Sequence, residues 1–266
     1  MATKKILITG AAGALGRVLR QRLHGRYGLV RLSDASAMEP ARKGEEVVQC
    51  DLTDADTVDQ LCQGIDAIVH LGGQSIEAPW ARIIQSNLIG CINLYEGARK
   101  ASVDRVIFAS SNHAIGFHKR NQRLDHATPA KPDSRYGVSK AFGEDLARYY
   151  ASKHGVRGLC LRIGSCYPKP TNARFLSTWL SYDDFERLIE VGLHADYVYE
   201  IAYGVSDNTR SWWDNSRIRA LGYAPKDNAE AYAKEVGKIV TDNALDEMHQ
   251  GGPFCAPDFS GKAEWV

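Results

Sequence analysis

Three glycines at three-residue intervals, Gly10, Gly13 and Gly16, follow directly on a short apolar run near the start of the chain. This spacing is typical of a strand that turns sharply into a helix, because Gly10 permits a tight exit from the strand and Gly16 permits close helix packing. Gly13 leaves no Cβ in the way of a ligand, and the amides of the helix N-terminus suit a pyrophosphate. A strand–helix connection without a ligand is the alternative. We predict that a dinucleotide is bound by Gly10, Gly13, Ala14, Leu15 and Gly16.

The first two thirds of the chain alternate short apolar runs with longer segments of helical period. Such alternation predicts βαβ units and a parallel sheet with helices on both faces, which is the α/β class with a Rossmann-type doubly wound sheet. We expect one domain over residues 1–266, in which residues 164–266 form a small C-terminal part that covers the substrate. The predicted strands are Lys5–Thr9, Leu29–Ser33, Glu46–Cys50, Ala67–Leu71, Arg105–Ser110, Gly158–Ile163 and Tyr197–Tyr203. The predicted helices are Ala14–Leu23, Ala55–Gln63, Ile83–Lys100, Tyr136–His154, Ser181–His194 and Asn228–Val240.

Composition and charge argue against several classes of partner. A formal net charge of +1 provides no basic excess for nucleic acid. No segment approaches the ~18 consecutive apolar residues that a membrane span needs. The six cysteines show no C-x-x-C spacing, so we interpret them as reduced thiols rather than as a zinc site or a disulfide framework. We expect a cytoplasmic homo-oligomer that binds a small molecule and no metal, nucleic acid or membrane.

A carboxylate at the end of the second predicted strand favours NAD over NADP. Asp34 lies 18 residues beyond Gly16, where an acidic side chain can hold the adenosine ribose hydroxyls and repel a 2′-phosphate. Arg31 stands upstream, no basic residue directly follows Asp34, and an ordinary loop aspartate is the alternative. Asn87, in an otherwise apolar helix, is either an exposed or helix-bending amide or a group that orients the region of Lys140. The further expected cofactor contacts are Asp51, Leu52, Leu71, Gly72, Gly73 and Asn87.

Tyr136 and Lys140 lie four residues apart in a predicted helix, so their side chains share one face. A phenol with an ordinary pKa of about 10 is a poor base near neutral pH. A neighbouring ammonium favours the phenolate and makes the proton transfer easier. Alone, the pair also fits a solvated helix face. Together with the glycine turn, it predicts redox chemistry on a hydroxyl group.

These motifs together resemble the short-chain dehydrogenase/reductase superfamily, in its extended branch with the T-G-x-x-G-x-x-G turn. The resemblance covers residues 4–166 and implies that Ser111 joins Tyr136 and Lys140 in catalysis. The chain also resembles the uronate dehydrogenase family, to about residue 230. This narrower resemblance rests on His70-Leu71-Gly72-Gly73-x-Ser75, Ser110-Ser111-Asn112-His113, Arg162-Ile163-Gly164-Ser165-Cys166, Ser177-Thr178-Trp179-Leu180-Ser181-x-Asp183-Asp184-Phe185 and Trp212-Trp213-Asp214-Asn215-Ser216.

The narrower resemblance implies NAD-dependent oxidation of the C1 hemiacetal hydroxyl of D-galacturonate or D-glucuronate to an aldarolactone. Tyr136 would take the hydroxyl proton, while Lys140 would bind the nicotinamide ribose and lower the pKa of Tyr136. Cys166 would approach the nicotinamide through its backbone, so that it counts among the cofactor contacts. Gln74 stands where a small or apolar residue is expected, which leaves the substrate preference open. The residues expected to contact the sugar are Ser75, Ser111, Asn112, His113, Ser165 and Arg174. For Ser75, Asn112, His113 and Ser165, a turn-forming or capping residue is the alternative.

Arg174 is the expected ligand of the substrate carboxylate. It lies in an irregular segment after the Ser165–Cys166 strand end, and a guanidinium can grip a carboxylate through two parallel hydrogen bonds. Lys169 is nearer to the strand end but carries a point charge on a flexible stem, so it ranks second. A solvated loop arginine is the alternative.

Two other functions stay open at this point. A nucleotide-sugar epimerase or dehydratase of the same superfamily would use the same tyrosine and lysine. Only about a hundred residues follow Ile163, which is short for holding a second nucleotide. A non-catalytic dinucleotide sensor is the third possibility, although such proteins commonly lack the Tyr/Lys pair.

Overall fold

The computed structural model describes residues 4–266. The strands are β1 (Lys5–Thr9), β2 (Leu29–Asp34), β3 (Glu45–Gln49), β4 (Ala67–His70), β5 (Arg105–Ser111), β6 (Arg157–Ile163), β7 (Ser165–Cys166), β8 (Trp179–Leu180) and β9 (Tyr199–Gly204). Seven of them form a sheet with the order β3-β2-β1-β4-β5-β6-β9, and β7 pairs with β8 in a second sheet. The β1–β2, β1–β4, β2–β3 and β4–β5 pairs are all parallel.

The strand β1 occupies the place where the strand order reverses. Ile6, Leu7 and Ile8 are completely buried, as expected for a strand that is covered on both faces of a parallel sheet. This order is that of a Rossmann-type doubly wound fold, in which ligands bind outside the carboxyl ends of the strands at the reversal. The predicted fold class is confirmed, and the reversal lies between the ends of β1 and β4.

Most of the predicted helices are present with shifted ends. The α-helices are α1 (Ala14–Arg22), α2 (Ala55–Cys62), α3 (Trp80–Ile83), α4 (Gly90–Lys100), α5 (Arg135–His154), α6 (Phe175–Thr178), α7 (Tyr182–His194), α8 (Ser216–Ala220), α9 (Ala233–Val236) and α10 (Ala244–Met248). The helix predicted over Ile83–Lys100 is not one regular α-helix, because a π-helical segment at Ile84–Ile89 separates α3 from α4.

The helix predicted at Asn228–Val240 is wrong in its extent. The chain forms a 3₁₀ turn at Ala229–Tyr232, and α9 then ends at Val236. The side chain of Asn228 caps the short turn by accepting a hydrogen bond from the Glu230 amide, and Gly237 terminates α9. Short elements of this kind give no full helical period in the sequence, which is why α8 and α10 were not predicted.

The chain divides into two compact units that alternate along the sequence. The first unit comprises the residues up to Ala109, Phe142–Cys160 and Gly192–Glu200, and the second comprises Ser110–Ala141, Leu161–Val191 and Ile201–Val266. The single domain over residues 1–266, with a covering part at 164–266, stays a prediction. Over residues 4–266, no helix has both the length and the apolar character that crossing a bilayer requires.

Candidate active site

The glycine turn lies in the first unit, where the ends of β1 and β4 approach each other closely. Gly10 has a φ of +70°, and a Cβ on it would lie 2.6 Å from the carbonyl carbon of Leu71. A Cβ on Gly16 would lie 2.3 Å from the carbonyl oxygen of Gly10, so a larger residue would push α1 away from the turn. These contacts give both glycines the tasks that the spacing predicts.

The N-terminus of α1 is open to an anion. Among the described residues no side chain caps it, its first turn contains no acidic residue, and Gly13 and Ala14 are exposed. The first amides of a helix without caps have no partner inside the helix, and the helix dipole adds positive potential there. The turn therefore fits the pyrophosphate of a dinucleotide.

Asp34 is fixed beside this turn by two backbone amides. Its Oδ2 accepts a hydrogen bond from the Ala12 amide at 3.0 Å, and its Oδ1 accepts one from the Ser36 amide at 2.9 Å. Each oxygen keeps a free lone pair for a ribose hydroxyl. Arg31 is occupied elsewhere, since its guanidinium donates to Glu46 at 2.7 Å and to the Leu61 carbonyl at 2.7 Å. The nearest upstream cation is thus committed to other acceptors.

We predict that Asp34→Ala weakens the binding of NAD and reduces the preference for NAD over NADP. The substitution removes the ribose acceptor and also the negative charge that repels a 2′-phosphate. The loss in kcat/KM with NAD should be about tenfold or more, as for a hydrogen bond to a charged group. Steady-state kinetics with both cofactors measure this, and Asp56→Ala, at an exposed carboxylate in the first turn of α2, is the control. A wild-type protein that reduces NADP as readily as NAD contradicts the placement of Asp34.

The other residues predicted to contact the cofactor cluster around the end of β4. A Cβ on Gly72 would lie 3.0 Å from Leu52 Cδ1, and a Cβ on Gly73 would lie 2.7 Å from Asn87 Oδ1. Asp51 uses Oδ1 to accept from the amide and hydroxyl of Thr53, both at 2.9 Å. The close approaches at Gly72 and Gly73 keep the backbone after β4 tightly packed. Whether each residue touches NAD stays a prediction.

Asn87 is buried, so it is not an exposed amide. It lies in the π-helical segment Ile84–Ile89, which agrees with the alternative of a helix-bending amide. Its Oδ1 accepts a hydrogen bond from the Gln74 amide at 2.7 Å, and its Nδ2 donates to the Gln74 carbonyl at 3.0 Å. It therefore clamps the loop that precedes Ser75, which is exposed. This contact was not predicted; the orientation of the Lys140 region by Asn87 stays a prediction.

Tyr136, Lys140 and Ser111 come together in the second unit. Ser111 hydrogen-bonds the Tyr136 hydroxyl, and Lys140 Nζ lies 5.4 Å from the centroid of the tyrosine ring. A Cβ on Gly137 would lie 2.2 Å from the His113 carbonyl oxygen, so this glycine lets α5 approach the segment after β5. All three side chains are buried.

The pKa of Tyr136 moves in the direction opposite to the one predicted. Burial raises the pKa of its phenol to about 12, and the hydrogen bond from Ser111 opposes this only in part. The negative charge of Asp133 adds to the rise, and Lys140, which lies over the ring, does not offset it.

Arg174 is held inside the second unit by neutral acceptors. Its Nε and Nη2 donate to the Gln250 carbonyl at 3.1 and 2.6 Å, and its Nη1 donates to Ser165 Oγ at 3.3 Å. Asn112, with its amide oriented to satisfy both of its neighbours, accepts from Arg174 Nη2 at 2.7 Å and donates to the Ile163 carbonyl at 3.1 Å. The alternative that Arg174 is a solvated loop arginine is therefore wrong.

Arg174 has no anionic partner among residues 4–266. None of the ion pairs in this part of the chain includes it, and burial lowers its pKa to about 10, with Arg120 acting in the same direction. The guanidinium is still charged at neutral pH. Lys169, the second candidate, forms an exposed ion pair with Glu235 at 3.0 Å. Of the two candidates for the substrate carboxylate, Arg174 is thus the one that offers a desolvated positive charge.

The two parallel hydrogen bonds predicted for Arg174 are not available. The Nε–H and both Nη2–H groups are taken by the Gln250 carbonyl and Asn112, so only Nη1 can donate to a ligand. Ser165 Oγ lies beside that nitrogen and also contacts Thr178 Oγ1 at 2.9 Å. A carboxylate would meet one N–H of Arg174 with Ser165 next to it.

Gln250 is a site residue that the sequence did not reveal. It is completely buried, and its side chain accepts from Trp213 Nε1 at 2.7 Å and donates to the carbonyls of Lys119 and Gln122. These bonds fix the carbonyl that receives Arg174. In the sequence, the neighbouring pair Gly251-Gly252 is a signal of close backbone approach next to Gln250.

Cys166 lies in β7 next to Ser165; it is partly buried and forms no disulfide among the described residues. Pairing of β7 with β8 holds its backbone, with Cys166 opposite Leu180. Its backbone contact with the nicotinamide stays a prediction.

Comparison with known proteins places these features in a family. The model of the NAD dependent epimerase/dehydratase family matches residues 6–182. A uronate dehydrogenase of Agrobacterium fabrum is 51% identical over 256 residues, which are 94% of this chain and 96% of that protein. The crystal structure of uronate dehydrogenase from Agrobacterium tumefaciens superposes with a TM-score of 0.92 at 49% identity and covers 96% of this chain and 97% of that one.

The chain belongs to the uronate dehydrogenases of the NAD dependent epimerase/dehydratase family. A variant of the Agrobacterium tumefaciens enzyme, solved in complex with NAD, superposes with a TM-score of 0.91 at 48% identity and covers 95% of this chain and 97% of that one. NAD is accordingly the cofactor of the family to which the glycine turn and Asp34 of this chain belong. The predicted resemblance is confirmed.

Proposed function

We propose that this protein oxidises the C1 hemiacetal hydroxyl of a free hexuronic acid, D-galacturonate or D-glucuronate, with NAD and yields the aldarolactone. The observation that carries the substrate class is the desolvated guanidinium of Arg174, which has no carboxylate partner among the described residues. A buried charge without a counter-ion is costly, and a ligand that supplies the counter-ion is favoured. A uronate carboxylate is such a ligand, and a neutral aldose is not.

The second unit supplies the groups for the proton transfer. In the proposed reaction Tyr136 accepts the proton of the C1 hydroxyl, and Ser111, which hydrogen-bonds the Tyr136 oxygen, orients the reacting oxygen. Bound NAD supplies a hydride acceptor, so loss of the proton and of the C1 hydride leaves a carbonyl at C1. Because C1 already carries the ring oxygen, the product is a lactone. Lys140 binds the nicotinamide ribose in this proposal.

Contacts to the sugar ring are proposed for four further polar residues. Asn112 and Ser165 are buried and hydrogen-bonded to Arg174. His113 follows Asn112 in the 3₁₀ turn after β5. Ser75 lies in the first unit on the loop held by Asn87. The contacts of all four with a substrate are part of the proposal.

Lys140→Met should weaken NAD binding and move the rising limb of the pH–rate profile to higher pH. Loss of the ammonium removes a cation that favours the phenolate, so the pKa of Tyr136 rises further above its already raised value. Below that pKa the rate increases with pH, and a higher pKa requires a higher pH for the same rate. Steady-state rates across pH measure the shift. An unchanged profile would restrict Lys140 to binding.

A substrate panel tests the proposed function. The purified protein is incubated with NAD and one of D-galacturonate, D-glucuronate, the corresponding neutral aldoses or nucleotide sugars, and released NADH is measured. We expect NADH with the free uronates, and much lower kcat/KM with the neutral aldoses. Interconversion of a nucleotide sugar without NADH release would favour the epimerase or dehydratase. NAD binding without any turnover would favour the sensor.

We also propose that the enzyme works in the cytoplasm as a homo-oligomer. None of the six cysteines forms a disulfide within residues 4–266, which suits a reducing compartment. Trp80 and Ile84, four residues apart, are exposed apolar side chains that self-association would cover. Light scattering of the purified protein measures the assembly, and a monomer at all concentrations would contradict it.

A further inference from the structure

A buried carboxylate, Asp133, lies against the candidate substrate residue His113. The Asp133 side chain is 0% exposed, and its Oδ2 lies 2.8 Å from His113 Nδ1. Its other oxygen, Oδ1, accepts a hydrogen bond from Ser134 Oγ at 2.7 Å. Ser134 Oγ in turn accepts from the Gly137 amide at 3.0 Å, so its proton is committed to Asp133.

These contacts determine which nitrogen of His113 carries the proton. An ionised carboxylate only accepts hydrogen bonds, so Nδ1 of His113 must be the donor. In the neutral imidazole the second nitrogen, Nε2, is then an acceptor with a free lone pair. Asp133 thereby sets the tautomer of His113.

The position of the His113 ring is fixed as firmly as its tautomer. Phe254 stacks on the ring with a centroid distance of 3.8 Å, and Tyr136 meets it edge-on at 5.8 Å. Neither contact occupies Nε2, for which the described residues provide no hydrogen-bond partner. Since Nε2 has no such partner and is not one of the buried side-chain atoms that lack one, it is accessible to a ligand.

Two glycines give the carboxylate its place. A Cβ on Gly116 or on Gly251 would in each case lie 1.9 Å from Asp133 Oδ2. The Gly251 amide donates to the Gly116 carbonyl at 2.9 Å, which closes the two segments around the acid. Within residues 4–266 no Lys or Arg forms an ion pair with Asp133, so His113 is the basic side chain that contacts it.

We propose that Asp133 is a positioning residue for sugar selectivity. It holds His113 with Nε2 as an acceptor, and this nitrogen accepts a hydrogen bond from one ring hydroxyl of the substrate. The inference rests on the proposed function for the identity of the sugar, but the tautomer itself does not depend on any substrate. His113 makes no hydrogen bond to Tyr136 in this arrangement, which separates its task from the proton transfer at C1.

The tautomer is measured first, without substrate. Imidazole nitrogen NMR spectra of enzyme labelled in its histidines distinguish a protonated from an unprotonated ring nitrogen, and the spectrum of His113→Asn assigns the signal. We expect protonated Nδ1 and unprotonated Nε2 in the wild type. In Asp133→Asn the amide can donate to Nδ1, so we expect protonated Nε2 to become populated. A wild-type spectrum with protonated Nε2 overturns the proposal even if the variant fails to fold.

Kinetics with uronates that lack single ring hydroxyls test the contact. In the wild type, removal of the hydroxyl that His113 reads should lower kcat/KM about tenfold, as expected when a buried acceptor loses its donor. In Asp133→Asn the same removal should have little effect, and the loss with the intact uronate should appear mainly in KM. Equal discrimination by both proteins, at equal folded fractions, overturns the proposal.

Ser134→Ala is the matched control. It removes the hydrogen bond to Oδ1 of the same carboxylate but leaves the contact with His113 Nδ1. It should keep the wild-type tautomer and the wild-type ratio between uronate and deoxyuronate, and a tautomer change in it would contradict the assignment to Asp133. If none of the uronates is a substrate, the proposed function fails while the NMR result still stands.

Discussion

Replacing Tyr136 with phenylalanine should abolish turnover and leave NAD binding largely intact. Only the oxygen that accepts the C1 proton is removed, since the ring keeps its place beside His113 and Lys140. A positioned acid–base group contributes ~10²- to 10⁴-fold to the rate, and this is the expected loss in kcat. NADH formation with uronate and a separate titration of NAD measure the two effects.

Tyr149→Phe is the matched control for this experiment. Tyr149 lies on the same helix, α5, but its side chain is 45% exposed. Its loss should leave kcat near the wild-type value. If Tyr136→Phe retains more than a few per cent of the activity, another group is the base.

Arg174→Ala should raise the KM for uronate strongly and leave the affinity for NAD nearly unchanged. A hydrogen bond to a charged group contributes ~1.5–3 kcal/mol, which corresponds to a KM increase of about 10- to 150-fold. The preference for uronate over the neutral aldose should decrease by a similar factor, because the neutral sugar has no carboxylate that binds the guanidinium. Kinetics with the uronate and neutral aldose pair measure both values.

The preference ratio separates this result from a general loosening of the site. Arg174 also holds the Gln250 carbonyl, so its loss could reduce the rate for every sugar. A loosened site lowers both rates, whereas loss of the carboxylate ligand lowers only the uronate rate. Lys169→Ala is the control, since Lys169 is paired with Glu235 on the surface and should change neither value. Undiminished discrimination by Arg174→Ala would move the carboxylate site elsewhere.

Local sequence signals predicted the fold and the core of the candidate site. The glycine turn is encoded within eight residues, and the shared face of Tyr136 and Lys140 follows from their helical spacing. Asp34 follows from the end of a single strand. Each of these depends on neighbours in the sequence, which is why a pattern suffices to place them.

The features of the site that the sequence did not predict depend on contacts between distant segments of the chain. Arg174 was predicted as a carboxylate ligand, but only its Nη1 can donate to a ligand, because Asn112 and Gln250, 76 residues later in the chain, accept from its other nitrogens. Asp133 contacts His113, which lies 20 residues earlier in the chain, and no periodicity in the sequence predicts this contact. The raised pKa of Tyr136 likewise results from burial, which is a property of packing and not of spacing.

The two glycines around Asp133 limit how this enzyme could acquire a different sugar preference. A side chain at Gly116 or at Gly251 would displace the carboxylate, and a longer acid at position 133 would collide with both backbones. These three positions form a matched set drawn from separate parts of the chain. Substituting these positions one at a time would produce variants with a steric clash or a void. Redesign of the sugar selectivity at His113 therefore requires simultaneous substitutions at all three positions.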